Sequence, residues 1–429
     1  MSLVGTTIEY YDFFIYGTAA ALVLGPQFFP SESPVAATLA AFATFAVGFL
    51  ARPLGGVVMG HYGDRVGRKH MLMISLLLMG VATALIGLLP NYASIGVLAP
   101  ALLVFLRFVQ GFAVGGELGG AVLMSFEHAP ARRRALYGSF PMMGLPLGIV
   151  LSTLVFLVVQ ALVPAESFDT WGWRIPFLLA IVIVGLGAAL RAKAAESPEF
   201  AAAKARGDVR RAPIVEIFST SPREVALGAV AMIAGPALGY LILVYLLSYG
   251  TTELGLSNAT MLSVIVIAAL IWVVMVPLTG VLADRFGRKP VFVVGCVVAG
   301  AWAFPLFALV DTGDFGPMVL AASIGAAGVA MINGVQGALL SEAFPVHLRY
   351  SGISLTVQIG TMLGGAIAPL VATALLAATG SSSSIALYMV IVAVISLVAV
   401  LRLNSAPDRF RNQADPTPRA GRATETPAS

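Results

Sequence analysis

The sequence predicts an all-α membrane protein of twelve transmembrane helices arranged as two pseudo-symmetric six-helix bundles. Three observations lead there. Hydrophobic residues fill 59% of the 429 positions and charged residues only 11%, with a mean hydropathy of +0.93. A soluble domain carries about twice that share of charge. About twelve apolar runs follow one another, each near the ~20 residues that cross ~30 Å of hydrocarbon. Finally, the charged string Gly60–Lys69 (GHYGDRVGRK) recurs as Gly280–Lys289 (GVLADRFGRK), again between two apolar runs. Gly60, Asp64, Arg65, Gly67, Arg68 and Lys69 fall in register with Gly280, Asp284, Arg285, Gly287, Arg288 and Lys289. One such string is compatible with a solvated loop, but two at matching places imply a duplicated membrane unit.

In chain order the runs lie at about 5–27, 36–60, 71–90, 95–125, 136–164 and 173–191, then 225–249, 259–283, 290–310, 316–340, 351–379 and 384–403. Several contain Pro or Gly, which neighbouring helices make tolerable inside a membrane. Glycines spaced i, i+4 at Gly56/Gly60, Gly111/Gly115/Gly119, Gly144/Gly148 and Gly360/Gly364 mark faces where helix backbones can approach closely. Residues 192–224, rich in Ala and charge, read as a cytoplasmic linker between the halves 1–191 and 225–404. The Pro-, Thr- and Arg-rich stretch 405–429 has the composition of a disordered tail.

The charge of +4 is informative only once mapped. Of 25 Lys and Arg, all but Arg52, Arg107 and Arg174 fall on one set of alternating loops or in the tail. The opposite loops carry Glu32, Glu166, Asp169, Glu253, Asp311 and Asp314. The positive-inside rule then places both termini and both charged strings in the cytoplasm. The basic balance is thereby a matter of topology, and nucleic-acid binding is not expected. The first run is long and carries Glu9 and Asp12, unlike the core of a cleaved signal peptide. Cys296 is the single cysteine and lies in an apolar run, so it reads as a small packed hydrophobe.

An ionisable side chain within hydrocarbon costs ~2.5–3.5 kcal/mol on insertion scales, so each one needs a reason. The first half offers Asp12 in helix 1, Arg52 in helix 2, and Arg107 and Glu117 in helix 4, with Glu9 at the inner end of helix 1. The membrane runs of the second half carry none. At ~1.5 Å per residue, Asp12, Arg52 and Glu117 stand at similar depth and Arg107 nearer the middle. Proton handling is therefore expected in the first half, at Asp12 or Glu117 with Glu9 as a further candidate. A static ion-pair cluster locking helices 1, 2 and 4 together is the structural alternative. Arg107 suits a substrate carboxylate, which its planar fork matches with two parallel bonds; a structural bond to Gln110 is its alternative. Arg52, Tyr16, Gln110, Tyr245, Asn333, Gln336 and Gln358 complete the candidate substrate contacts, each with a packing role as the plainer reading.

His61, His70, His128 and His347 all fall at turns, so a histidine proton relay within the membrane is not expected, nor is a metal site. None of Lys69, Lys193, Lys204 or Lys289 follows a glycine, so no phosphate-binding loop supports ATP-driven transport. The residues imply no cofactor.

The duplicated strings, with Glu127, Pro130 and Arg134 answered by Glu342, Pro345 and Arg349 after one inserted residue, resemble the major facilitator superfamily. Within it the chain is similar to the metabolite:proton symporters through Ile8–Tyr16 (IEYYDFFIY), Ala51–Lys69 (ARPLGGVVMGHYGDRVGRK), Arg107–Gly120 (RFVQGFAVGGELGG) and Trp173–Leu178 (WRIPFL). Tyr10 stands where that pattern expects Trp. The resemblance implies a multi-pass protein of the inner membrane that works as a monomer by alternating access. Protons and a small carboxylate or zwitterion would be its cargo. A proton-driven exporter and a transporter-like sensor are the alternatives. It also implies that Asp64, Arg65 and Arg68, with Asp284, Arg285 and Arg288, tie helix ends together as a gate. Glu127, Arg134, Glu342 and Arg349 would supply the opposing charges. The plain alternative is loop charge that only sets topology.

Overall fold

Hydrocarbon offers no partner for a backbone amide, so each spanning segment must satisfy its own, and helices do so. The computed structural model describes residues 2–31, 33–66, 68–115, 125, 129–192, 217, 219–344 and 349–403. Among them the regular structure is helical throughout. Span α1 is Ser2–Ala19, continuing through a π-turn Ala20–Leu24 into Gly25–Phe28. Then come α2 (Pro34–Val66), α3 (Arg68–Leu88) and α4 (Leu98–Val114). Spans α5 (Arg134–Leu162), α6 (Ile175–Ala192), α7 (Pro222–Thr252) and α8 (Asn258–Phe286) follow. Span α9 is bent by 42° between Arg288–Ala301 and Ala303–Val310. Spans α10 (Phe315–Ala343), α11 (Gly352–Thr379) and α12 (Ser382–Arg402) complete the set.

Of the predicted run at 95–125, the described part is a helix from Leu98 to Val114, with a separate turn of helix at Tyr92–Ile95 before it, and 116–124 lie outside the described residues. Gly96 accounts for that break, because its φ of +58° lies in the left-handed region and ends the turn that Asn91 opens by accepting from the Ser94 amide. Most of the 192–224 connection and all of the 405–429 tail lie outside the described residues.

The repeat seen in the charged strings is repeated in distortions of the helices. The π-turn Ala20–Leu24 of α1 has its counterpart in Leu241–Tyr245 of α7. The irregular turn Phe140–Met143 of α5 is matched by the π-turn Met362–Ala366 of α11. Packing repeats as well, with α1 lying on α5 and α7 on α11. A methyl group at Gly148 of α5 would stand 2.6 Å from Tyr10 Cβ, and one at Gly360 of α11 would stand 2.5 Å from Met232 Cβ. Both glycines are therefore contact points where one helix backbone rests on another.

The outer surface is apolar: Leu154, Val158, Leu162, Ile181, Leu186, Val274, Val394 and Leu401 are all exposed. In water such a continuous surface would aggregate, whereas in lipid it is the expected exterior. The polar and charged side chains of the spans instead point inward. The two halves meet along α2 against α11, along α5 against α8, and where α1 approaches α7. A methyl at Gly17 of α1 would touch the Val244 side chain of α7 at 3.5 Å.

Candidate functional site: a buried charge relay beside an aromatic box

The site grows from three helical spacings. On α4, Arg107 and Gln110 are three residues apart and share a face. On α1, Asp12, Phe13 and Tyr16 crowd one stretch, and on α2 Phe45, Phe49 and Arg52 follow at i, i+4 and i+7. Packing of α2 against α4 brings the faces together, because glycines let the two backbones nearly touch. A Cβ at Gly111 would collide with the Gly48 carbonyl, and one at Gly48 would come within 2.7 Å of Arg107 Nη2. Gly48 thus clears the space in which the guanidinium lies.

Arg107 has no exposed surface. Its Nη1 donates to Gln110 Oε1, and its Nη2 donates to the Phe45 carbonyl at 3.3 Å. The guanidinium carbon stands 4.0 Å from the Tyr16 ring centroid, 4.8 Å from Phe13 and 5.3 Å from Phe45. Arg52, almost as deeply buried, lies 4.4 Å from the Phe13 centroid and 4.7 Å from Phe49. Desolvated cation–ring contacts of this kind contribute about 2 kcal/mol or more each, so several of them offset much of the cost of burying the charges. Arg107 Nε and Arg52 Nε and Nη2 make no hydrogen bond among the described residues. Each is a donor left open in a place from which water is excluded.

The box is closed by the other half. Tyr240 of α7 packs against Phe14 at 5.3 Å, Phe49 at 5.4 Å, Phe45 at 5.5 Å and Phe13 at 6.2 Å between ring centroids. Tyr16 meanwhile hydrogen-bonds Thr44 of α2.

Among the described residues Asp12 forms no ion pair, so the static ion-pair alternative is not seen at Asp12. Instead its Oδ2 accepts from Thr83 Oγ1 of α3 at 3.4 Å, while Oδ1 has no hydrogen-bond partner there. Gln110 Nε2 donates both to Thr83 Oγ1 at 2.7 Å and to the Asp12 carbonyl at 3.1 Å. Arg107 and Asp12 are therefore joined through Gln110 and Thr83 rather than directly. The reason is geometric: α3 inserts Thr83 between α1 and α4, and rise per residue along single helices could not reveal that. Glu117 lies outside the described residues, and Glu9 is buried in α1.

The remaining candidates lie at contacts between elements. Gln336 Nε2 donates to Met142 Sδ at 2.9 Å and Gln358 Nε2 to the Gly115 carbonyl at 2.9 Å, so both link the halves. Asn333 is buried on α10 with its Oδ1 against Gly235 of α7. Tyr245 stacks at 6.2 Å on Tyr249, whose hydroxyl donates to Asp311 Oδ1 at 2.6 Å.

At the charged-turn end, Asp284 of α8 accepts from the Ala135 amide at 2.9 Å and the Leu136 amide at 3.0 Å. A carboxylate of the second half thus caps the start of α5 in the first, where orphan amides and the helix dipole favour an anion. Arg288 pairs with Glu342 of α10, and Arg285 lies over Phe286 at 5.2 Å. Backbone amides next to Arg134 are thus among the partners of Asp284. The side chains of Asp64, Arg65, Arg68 and Arg349, and the whole of Glu127, lie outside the described residues. Thr83 and the ring pair Phe13 and Phe49 were not singled out in the sequence. A hydroxyl inside an otherwise apolar run was the signal for Thr83, and two aromatics spaced four apart were the signal on α2.

An apolar exterior, twelve spans and charge buried inside the bundle are the features of a multi-pass membrane transporter. The model of the Major Facilitator Superfamily matches residues 2–357 and again 273–426. The inner membrane metabolite transport protein YhjE of Escherichia coli (strain K12) is 42% identical over 408 residues, covering 93% of this chain and 92% of that protein. The shikimate transporter of the same strain is 40% identical over 416 residues, 94% of this chain and 93% of its own length. A crystal structure of a D-xylose-proton symporter, 20% identical, superposes with a TM-score of 0.73 over 95% of this chain and 96% of that one. The chain belongs to the major facilitator superfamily, and its relatives are metabolite transport proteins.

Proposed function

We propose that this protein is a proton-coupled symporter that imports a small organic acid or a betaine-like zwitterion by alternating access. The observation that carries the reading is the buried link from Asp12 through Thr83 and Gln110 to Arg107. An acid that can bind a proton and a fork that can bind a carboxylate share one hydrogen-bonded chain. Open donors on Arg107 and Arg52 favour an anionic group, since a carboxylate would complete what the protein leaves unpaired. The name of the shikimate transporter agrees, shikimate being a carboxylate.

In this reading Asp12 takes the proton, with Glu117 and Glu9 as further candidates. Arg107 and Arg52 hold the substrate, with Tyr16 and Gln110 beside them and Tyr245, Asn333, Gln336 and Gln358 as further candidate contacts from the second half. Residues 1–191 and 225–404 rock against each other around this point, joined by the 192–224 linker. The Asp284 cap and the Arg288–Glu342 pair, with Asp64, Arg65, Arg68, Glu127, Arg134, Arg285 and Arg349, hold the charged-turn end shut. The positive-inside rule supports placing that end and both termini in the cytoplasm, and the name of YhjE supports the inner membrane. A monomer suffices for such a cycle.

The test is uptake into vesicles that contain only the purified protein. Acidifying the outside should drive accumulation of an organic acid or betaine above its external concentration. If none of those offered accumulates, the symport reading fails. Acid-driven loss of solute from preloaded vesicles would favour an exporter, and binding without flux would favour a sensor.

A further inference from the structure

We propose that the Thr83 hydroxyl is the switch by which the charge on Asp12 is reported to Arg107, a positioning role that rests on the proton-coupled reading above. A hydroxyl has one hydrogen to donate. Thr83 has two acceptors for it, the Met79 carbonyl at 2.9 Å within its own helix and Asp12 Oδ2 at 3.4 Å. Its oxygen simultaneously accepts from Gln110 Nε2 at 2.7 Å. The Gln110 amide has no freedom to turn, because its other hydrogen is held by the Asp12 carbonyl and its oxygen holds Arg107 Nη1. Asp12, Thr83, Arg107 and Gln110 are all fully buried, so water does not compete for any of these bonds.

The two acceptors make two states. While Asp12 is charged, the hydroxyl hydrogen turns to the carboxylate, since a charge-assisted bond is roughly twice as strong as a neutral one. Donating in this way polarises Oγ1, which then accepts more strongly from Gln110. Gln110 in turn holds Arg107 in place. When a proton binds a carboxylate oxygen of Asp12, the charge is removed and the hydroxyl turns back to the nearer Met79 carbonyl. The pull on Gln110 slackens, and Arg107 Nη1 is free to leave it for a substrate carboxylate. On release the proton leaves the same oxygen and the chain tightens again. No other bond is made or broken. By reciprocity, substrate bound at Arg107 must raise proton occupancy at Asp12.

Among the described residues, other charged and titratable groups around Asp12 are few. They are Glu9, Tyr10, Tyr11 and Tyr16 on its own helix, Arg52 on α2, Arg107 on α4 and Tyr240 on α7. On α3 they are Arg68, Lys69 and His70 at its start, on α5 there is none within Gly144–Leu162, and on α6 there is only Arg191 next to its end. None of them touches both Asp12 and Gln110, as Thr83 does.

The experiment is an infrared titration of the full chain in lipid vesicles, following the protonated-carboxyl band that Asp12→Asn removes. It is run on the wild type, Gln110→Leu, Thr83→Val and the double variant, with Thr83→Ala in place of Val if the latter does not insert. Gln110→Leu is expected to change proton affinity at Asp12 by about tenfold, the size of one hydrogen bond. The shift from the same substitution is expected to shrink several-fold once Thr83→Val is present, what remains coming from the Gln110 bond to the Asp12 backbone carbonyl, and Thr83→Ser is expected to restore the wild-type response. The relay is overturned by an equal shift in both backgrounds, by no shift, or by a band that ignores pH. The readout needs no substrate, so a wild type that fails to accumulate solute would remove the symport reading separately.

Discussion

Arg52 and Arg107 share one ring: their guanidinium carbons stand 4.4 Å and 4.8 Å from the centroid of Phe13. Two like charges are thereby held near each other in the membrane interior with an aromatic side chain common to both. Phe13→Leu keeps most of the volume and removes the π-face. We expect it to lower the melting temperature of the purified protein through the loss of two desolvated contacts of about 2 kcal/mol each. An unchanged melting temperature would show that the ring only fills space.

Asp12→Asn removes the acid while keeping a polar side chain of similar size. Accumulation driven by a pH gradient should be lost while part of the exchange of labelled for unlabelled solute persists. The same split is expected for Glu117→Gln if that residue also carries protons. Both variants concentrating solute as the wild type does would remove these carboxyls from the coupling.

Arg107→Lys retains the charge but not the fork. Lysine offers a point charge with no planar face for Tyr16 and no paired donors for a carboxylate. Binding of an organic acid should weaken by roughly 1.5–3 kcal/mol, the usual worth of a hydrogen bond to a charged group. A calorimetric titration decides it, and an affinity within twofold of the wild type would assign Arg107 to structure alone.

Asp284→Asn strips the charge from the cap on α5. The loss of a charged cap costs about 0.5–2 kcal/mol, and here that energy joins the two halves. The charged-turn end should open more readily, read as faster labelling of a cysteine placed at Leu136, with slower net transport. Asp64→Asn is expected to slow turnover likewise while leaving the protein in the membrane. Unaltered labelling and turnover would reduce these residues to topology signals.

Gly111→Val places a branched side chain where the Gly48 carbonyl already stands. The α2–α4 contact cannot form around it. Little folded protein should be recovered from membranes, and recovery at wild-type levels would mean that the two helices are free to separate.

Much of the fold was legible because lipid imposes a simple rule on sequence. Runs of ~20 apolar residues must be helices there, and a charged string repeated between them betrays duplication. Asp12, Arg52 and Arg107 were legible for the same reason, as charges in a place that makes charge costly. Of their partners, only Gln110 beside Arg107 was. Nothing in the spacing of α1 and α4 says that Thr83 of α3 comes between Asp12 and Gln110, and nothing in α8 says that Asp284 meets the backbone amides of α5.

The sequence by itself determined the twelve spans, the twofold repeat and the half that holds the buried charge, since each follows from the free energy of single segments in lipid. Only the tertiary structure decided which buried groups meet. That choice depends on which glycines bring α2 to α4 and on which helix inserts its hydroxyl between them, properties of packed pairs that no single segment carries.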